Sequence, residues 1–110
     1  MVGYVPERGD IVWVEFSPQS GHEQRGHRPA LVLSPAKFNR KLGLAILCPI
    51  TSKVKGLPFE VPLEDCRTEG VVLVDQVKSL DWQSRNVEFI EHAPANVVTD
   101  VADLVVAIIH

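Results

Sequence analysis

Asp10 to Phe16 reads DIVWVEF, with Val12, Val14 and Phe16 on one side of the alternation and Ile11, Trp13 and Glu15 on the other. β-Branched and aromatic residues at period two predict a strand. Pro29 to Ser34 contains the apolar run Ala30 to Leu33 and predicts a buried second strand, stopped by Pro35. Leu44 to Thr51 predicts a third. Pro49 within it cannot donate a ladder hydrogen bond, so an edge or a bulge is expected there. Phe59 to Leu63, Gly70 to Leu80 and Val87 to Ile90 predict the remaining strands, and Ala36 to Lys41 a polar connection with a short helical turn. After Pro94 the pattern changes: Val97, Val101, Leu104, Val105 and Ile108 recur at helical spacing. Valine favours strands, but no turn signal interrupts the last sixteen residues, and the period predicts a helix. The expected fold class is mainly β, a small and strongly bent antiparallel sheet or barrel closed by a C-terminal helix.

Composition bounds this picture without changing it. The chain has 110 residues, 45% hydrophobic and 23% charged, which fits one domain over 1–110. Its first ten residues lack the apolar core of a secretory signal. The longest apolar run, Leu104 to Ile109, is far too short to cross a membrane. Cys48 and Cys66 have no metal or redox spacing and suggest reduced thiols. A cytoplasmic protein without a membrane partner is expected.

Charge adds more. The formal net charge is −3, yet the seven Lys/Arg between Gln24 and Phe59 (Arg25, Arg28, Lys37, Arg40, Lys41, Lys53, Lys55) are joined by no acid. From Asn86 to His110 there are four acids, Glu88, Glu91, Asp100 and Asp103, and no Lys or Arg. One region attracts polyanions and the other repels them. A phosphate backbone is the expected partner.

The chemistry concentrates in GHEQRGHRPALVLSP, Gly21 to Pro35, where a glycine-punctuated loop carries Glu23, Gln24, Arg25, His27 and Arg28 into a strand. No HExxH, DxD, Cys/His cluster, P-loop, GxGxxG or GxSxG occurs, so no metal or cofactor is expected. The inventory suits phosphodiester cleavage without metal. In RNA the 2′-OH is an intramolecular nucleophile with high effective molarity. A protein must remove its proton, neutralise the phosphorane oxygens and protonate the departing 5′-oxygen. Arginine is the best bidentate donor to phosphate, a Glu or His serves as base, and a Thr hydroxyl donates to a non-bridging oxygen. Glu23, His27, Arg28 and Thr51 supply that set. Each alone has an ordinary structural explanation, as a solvated acid, a hydrogen-bond donor, an ion-pair partner and a turn former.

Taken together, GDIVWVEF, GHEQRGHRPALVLSP, CPITSKVKG, PFEV and GVVLVDQVKSLDW, in this order over residues about 4 to 85, closely resemble the MazF family of toxin endoribonucleases. The resemblance implies the PemK/MazF/CcdB-type SH3-like barrel with a C-terminal helix, assembled as a homodimer. It implies metal-independent cleavage of single-stranded RNA at a short sequence, leaving a 2′,3′-cyclic phosphate and a 5′-OH. It further implies a cognate antitoxin whose acidic, disordered C-terminal segment covers the RNA groove. The family's catalytic arginine and threonine fall on Arg28 and Thr51, its loop glutamate on Glu23, and its RNA contacts on Gln24, Asn39, Lys55 and Lys78, with His27 expected on RNA beside them. The PemK branch carries an Arg-x-Asp pair on the strand that here reads GVVLVDQ. This chain keeps Asp75 but has Leu73 for the arginine, which implies the MazF branch and a structural or supporting part for Asp75.

A guanidinium does not readily release its proton at neutral pH. Arg28 is therefore assigned to charge stabilisation and leaving-group protonation, with Glu23 as the base. The competing expectation is a CcdB-like, non-catalytic toxin that poisons DNA gyrase. It would need no Glu/Arg/Thr set, and the Ala107 to His110 end lacks that branch's Trp-Gly tail. An SH3-like peptide-binding module would need an aromatic groove, and the aromatics here are scattered along the chain.

Overall fold

The computed structural model describes residues 3–16 and 27–110. Its strands are β1 (Asp10–Glu15), β2 (His27–Val32), β3 (Leu44–Thr51), β4 (Glu60–Pro62), β5 (Val71–Leu73), β6 (Lys78–Asp81) and β7 (Glu88–His92). Two α-helices, α1 (Ala36–Leu42) and α2 (Ala95–Ile109), complete the described elements. All strand pairs are antiparallel, in the order β4-β5-β3-β2-β1-β7, with β6 also on β3. The mainly antiparallel fold with a C-terminal helix is as the sequence predicts.

One expected strand is divided. Val74–Gln76 forms a 3-10 turn inside the Gly70 to Leu80 run, because β3 changes partner along its length. Leu44 to Leu47 pair with β6, whereas Ile50 and Thr51 pair with β5. Cys48 and Pro49 fall at the gap between those partners. A residue without an N–H therefore sits in a central strand at a point where no neighbour on that edge needs one.

Alternation along the strands builds two cores. Ile11, Leu31, Leu33, Cys48, Ile50, Val72 and Val74 pack against Val97, Val98 and Val101 of α2. The other parity, Val12, Val14, Ala30, Val32 and Leu47, is covered by Phe16, Leu80 and Val87. Each fully buried aliphatic side chain contributes about 1.5–3 kcal/mol through the area it removes from water. This tertiary packing outweighs the poor helix propensity of the α2 valines. The apolar stripe of α2 stops short of its expected end: Ile108 is 48% exposed and Ile109 71%. The Cys48 thiol, in the first core, is pushed up to about 12 by burial and by the charge of Asp75, and so stays protonated.

Three polar hubs tie the elements together. Asn39, on α1, has no exposed surface. Its Nδ2 donates to the carbonyls of Pro6 (2.8 Å) and Ser34 (3.0 Å), and its Oδ1 accepts from Ser34 Oγ (2.6 Å). Its main-chain carbonyl accepts from Trp82 Nε1 at 3.0 Å. Asp10, 2% exposed, accepts from the Tyr4 hydroxyl and the Glu7 N–H and faces His92 Nδ1 at 3.0 Å. Glu91, on β7, accepts from the N–H groups of Arg67 and Thr68 and from the Thr68 hydroxyl, pinning the 63–70 connection to the sheet.

Replacing Asn39 by Ala leaves two buried carbonyls without their donor and is expected to cost about 2–4 kcal/mol. Urea denaturation checks this. Burial alone would raise the Glu91 carboxyl, but the Thr68 and Arg67 hydrogen bonds overcome it and hold the group below its ordinary 4.5. A carboxyl depressed in the folded state contributes stability above its unfolded value and loses it as pH falls through the folded one. Below about pH 4.5 the thermal midpoint of the native chain is therefore expected to fall more steeply than that of Glu91→Gln. Parallel acid limbs in calorimetry would contradict this.

Candidate functional site

The β2–β3 ladder pairs Val32 with Leu47, Leu31 with Cys48 and Ala30 with Pro49, and goes no further. Pro29, which would face Ile50 at the next rung, has no N–H with which to extend it. The same register carries Arg28 opposite Thr51, just past the last rung. Arg28 stays paired to Val14 on β1, and Thr51 to Val71 on β5. Each residue is thus held by its outer neighbour while the inner ladder between them has stopped. Alternation puts both on the same face, in line with Ala30 and Val32 on one strand and Pro49 and Leu47 on the other.

A concavity of about 210 Å3 opens at this point, lined by Arg28, Thr51, Lys53 and Glu69 with neighbouring backbone. A second, of about 370 Å3, shares Arg28, Thr51 and Lys53 and adds Lys55, Glu60 and Asp75. The shared residues make the two one groove. Three cations and three carboxylates line it, so it is equipped for acid–base chemistry as well as for anion binding.

Two contacts fix Thr51. The Lys53 N–H donates to Thr51 Oγ1 at 3.1 Å. That bond occupies an acceptor position of the hydroxyl and leaves its proton for a ligand in the groove. On the other side Gly70 has φ +121°, and a Cβ there would stand 2.2 Å from the Thr51 carbonyl oxygen. Only glycine lets β5 approach this closely.

The sequence-predicted residues divide accordingly. Arg28, Thr51 and Lys55 line the groove together. Glu23 and Gln24 lie outside the described residues. His27 precedes Arg28 on β2 and so faces the opposite side. Its ring stacks on Trp13 with centroids 6.1 Å apart and planes 29° from parallel. Lys78 is exposed opposite Leu47, with its Nζ 5.2 Å from the centre of the Phe16 ring, and lines neither concavity.

Asn39 is a correction: it was expected on RNA, but its side chain is fully buried and occupied by Pro6 and Ser34. Asp75 is another, since it is exposed and lines the groove rather than supporting it from behind. Lys53, Glu60 and Glu69 are additions that sequence reasoning does not single out. Lys53 lies within the counted basic stretch, while nothing in the residue pattern marks the two glutamates.

The basic stretch is also not one surface. Lys37, Arg40 and Lys41 sit on α1, which leads into the Leu44 end of β3. Thr51 is at the other end, roughly 23 Å away at the usual rise per residue. Among the described residues, no group of three or more His, Cys, Asp or Glu side chains is arranged to hold a metal ion.

Fold and groove define a small antiparallel β protein with a cleft, lined by three cations and three carboxylates, at the end of two central strands. Residues 7–109 match the family model described as PemK-like, MazF-like toxin of type II toxin–antitoxin system, and the chain belongs to that family. It is 52% identical over 82 residues to the endoribonuclease toxin MazF of Escherichia coli K12, covering 74% of each chain. Against endoribonuclease PemK of Escherichia coli it is 36% identical over 100 residues, covering 86% of this chain and 75% of the relative. Among solved structures, MazE–MazF (Form-II) from Deinococcus radiodurans superposes with a TM-score of 0.90 at 50% identity, over 97% of both chains.

Gly70→Ala is expected to push the Thr51 carbonyl aside and destabilise the protein by about 1–3 kcal/mol. Amide shifts of Thr51 and Ser52 should move while those of the β1–β7 ladder stay. Unchanged Thr51 and Ser52 resonances would show that the close approach is not maintained in solution.

Proposed function

We propose that this chain is the toxin of a type II toxin–antitoxin pair and an endoribonuclease that cleaves single-stranded RNA at a short sequence without metal. The 2′-OH attacks its own phosphorus, the P–O5′ bond breaks, and the products carry a 2′,3′-cyclic phosphate and a 5′-OH. The observation that carries this reading is the shared groove of Arg28 and Thr51, with the threonine proton left free by the Lys53 amide. Relatives named as endoribonucleases support the same activity class.

The roles follow from the chemistry of each group. The Arg28 guanidinium neutralises the phosphorane oxygens and hydrogen-bonds the departing 5′-oxygen as that oxygen takes a proton from water. The Thr51 hydroxyl donates to a non-bridging oxygen, a contact that strengthens as charge develops. Glu23 is the proposed base. Asp75, inside the groove, is the carboxylate that takes this role if Glu23→Ala retains turnover. Lys55 draws the backbone in, with Gln24 and Lys78 as further contacts. His27, stacked on a partly exposed Trp13, offers a flat surface of the kind that unpaired bases stack on.

The antitoxin partner is supported by the Deinococcus relative, whose structure is that of a MazE–MazF pair. An acidic, disordered antitoxin segment lying in the same groove is the form we propose for it. We also propose a homodimer. Val106, Ile108 and Ile109 on α2 are exposed, an apolar surface that a second copy would cover. No described helix is long and apolar enough to cross a membrane, and the cytoplasm is the proposed site of action.

Purified protein in EDTA is expected to cut a long RNA into fragments bearing cyclic phosphate, and to spare a substrate with 2′-deoxyribose 5′ to the cut. Arg28→Ala and Thr51→Ala should each lower the rate by about 10²-fold or more with unchanged circular dichroism. Activity that disappears on chelation and returns with Mg²⁺ would overturn the mechanism. Full turnover in either variant would remove that residue from it.

A further inference from the structure

Ser52 to Pro58 is exposed at every position and belongs to no strand or helix, yet it carries Lys53 and Lys55, two of the three cations of the groove. Such a loop needs an anchor to present charge at a fixed place. One anchor is the Thr51 hydroxyl beneath the Lys53 N–H. The other is Glu60. One of its carboxylate oxygens accepts the Gly56 N–H at 2.9 Å, and both lie 3.2 Å from the Lys55 N–H. Gly56 makes this possible by turning through φ +76° with open space around it. The Glu60 N–H in turn donates to the Leu57 carbonyl at 3.1 Å, and Glu60 pairs with Leu73 on β5. A charged acceptor on the sheet thus holds two adjacent amides at the loop tip.

A carboxylate in a groove for phosphates is unfavourable by charge alone. Unless it does something else, its removal should tighten RNA binding. We infer that Glu60 is a positioning residue for RNA, its carboxylate holding the Lys53–Gly56 backbone so that Lys53 and Lys55 face the groove. This rests on the reading that the groove binds RNA. The geometry favours positioning over repulsion because hydrogen bonds to an ionised acceptor are short-range and strong, whereas the repulsion acts across an exposed, screened surface.

Glu60→Gln and Glu60→Ala remove the same charge, but only Gln keeps an oxygen within reach of the two amides. Comparing these two variants therefore isolates the anchor from the field. The probe is a short, fluorescein-labelled, random-sequence 2′-O-methyl RNA, which cannot undergo 2′-attack, read by anisotropy at low salt. Glu60→Ala is expected to bind about five-fold more weakly than Glu60→Gln. In a Lys53→Ala/Lys55→Ala background that difference should vanish, which a general loss of stability would not produce. Equal affinity of the Gln and Ala variants, or a difference that survives without the two lysines, overturns the inference and leaves the groove reading intact. A native chain that does not bind the oligonucleotide overturns both.

Discussion

The rung between Ala30 and Pro49 is the point on which the functional half of the molecule depends. Up to that rung, β2 and β3 are two ordinary central strands that bury Leu31, Val32, Leu47 and Cys48. Beyond it, Pro29 leaves the inner edge of β2 without a donor, and the strands follow their outer partners instead. A cleft between neighbouring strands would normally expose backbone amides that need satisfying. Here the ladder ends where there are fewer to satisfy. The cost of opening the sheet is lowered by the same residue that decides where it opens.

Much of this is legible in the order of residues alone. Periodicity locates the first three strands, the C-terminal helix and most of the buried valines, because a half-buried strand and an amphipathic helix leave a direct record in the chain. Arg28 and Thr51 belong to an inventory that suits the chemistry of phosphate, but it is the resemblance to the MazF family that singles them and Lys55 out. The remainder is hidden for a physical reason: it depends on pairing between segments far apart in sequence. The turn at Val74 to Gln76 follows from β3 changing partners, which no local pattern encodes. Asn39 looks like a polar surface residue because its type usually is one, and only the converging Pro6, Ser34 and Trp82 groups make it a core residue. The seven cations look like one patch because sequence distance ignores the length of the strand that separates α1 from the groove.

The groove carries nearly balanced charge, and this bears on how it would hold a polyanion. A purely basic channel binds any nucleic acid through counterion release, with little regard to sequence. Interleaving Glu60, Glu69 and Asp75 with Arg28, Lys53 and Lys55 weakens that general attraction. More of the discrimination is left to shape, stacking and individual hydrogen bonds, as single-stranded recognition requires. The carboxylates also supply proton acceptors within reach of the same ligand.

β3 belongs to two sheets, and the two are not equally robust. Its first half lies among β2 and β6. Its second half leans on β5, a strand of three residues that is itself edged by β4, another of three. Cooperative units of this size open more often than the body to which they are attached. Thr51, Lys53, Lys55 and Glu60 all sit on or beside that small unit, whereas Arg28 belongs to the larger one. The groove can therefore be dismantled from one side by a fluctuation that opens only the Ile50–Val72 corner of the first core and leaves the second core closed, so its working lifetime is set by a local equilibrium rather than by the global free energy of folding.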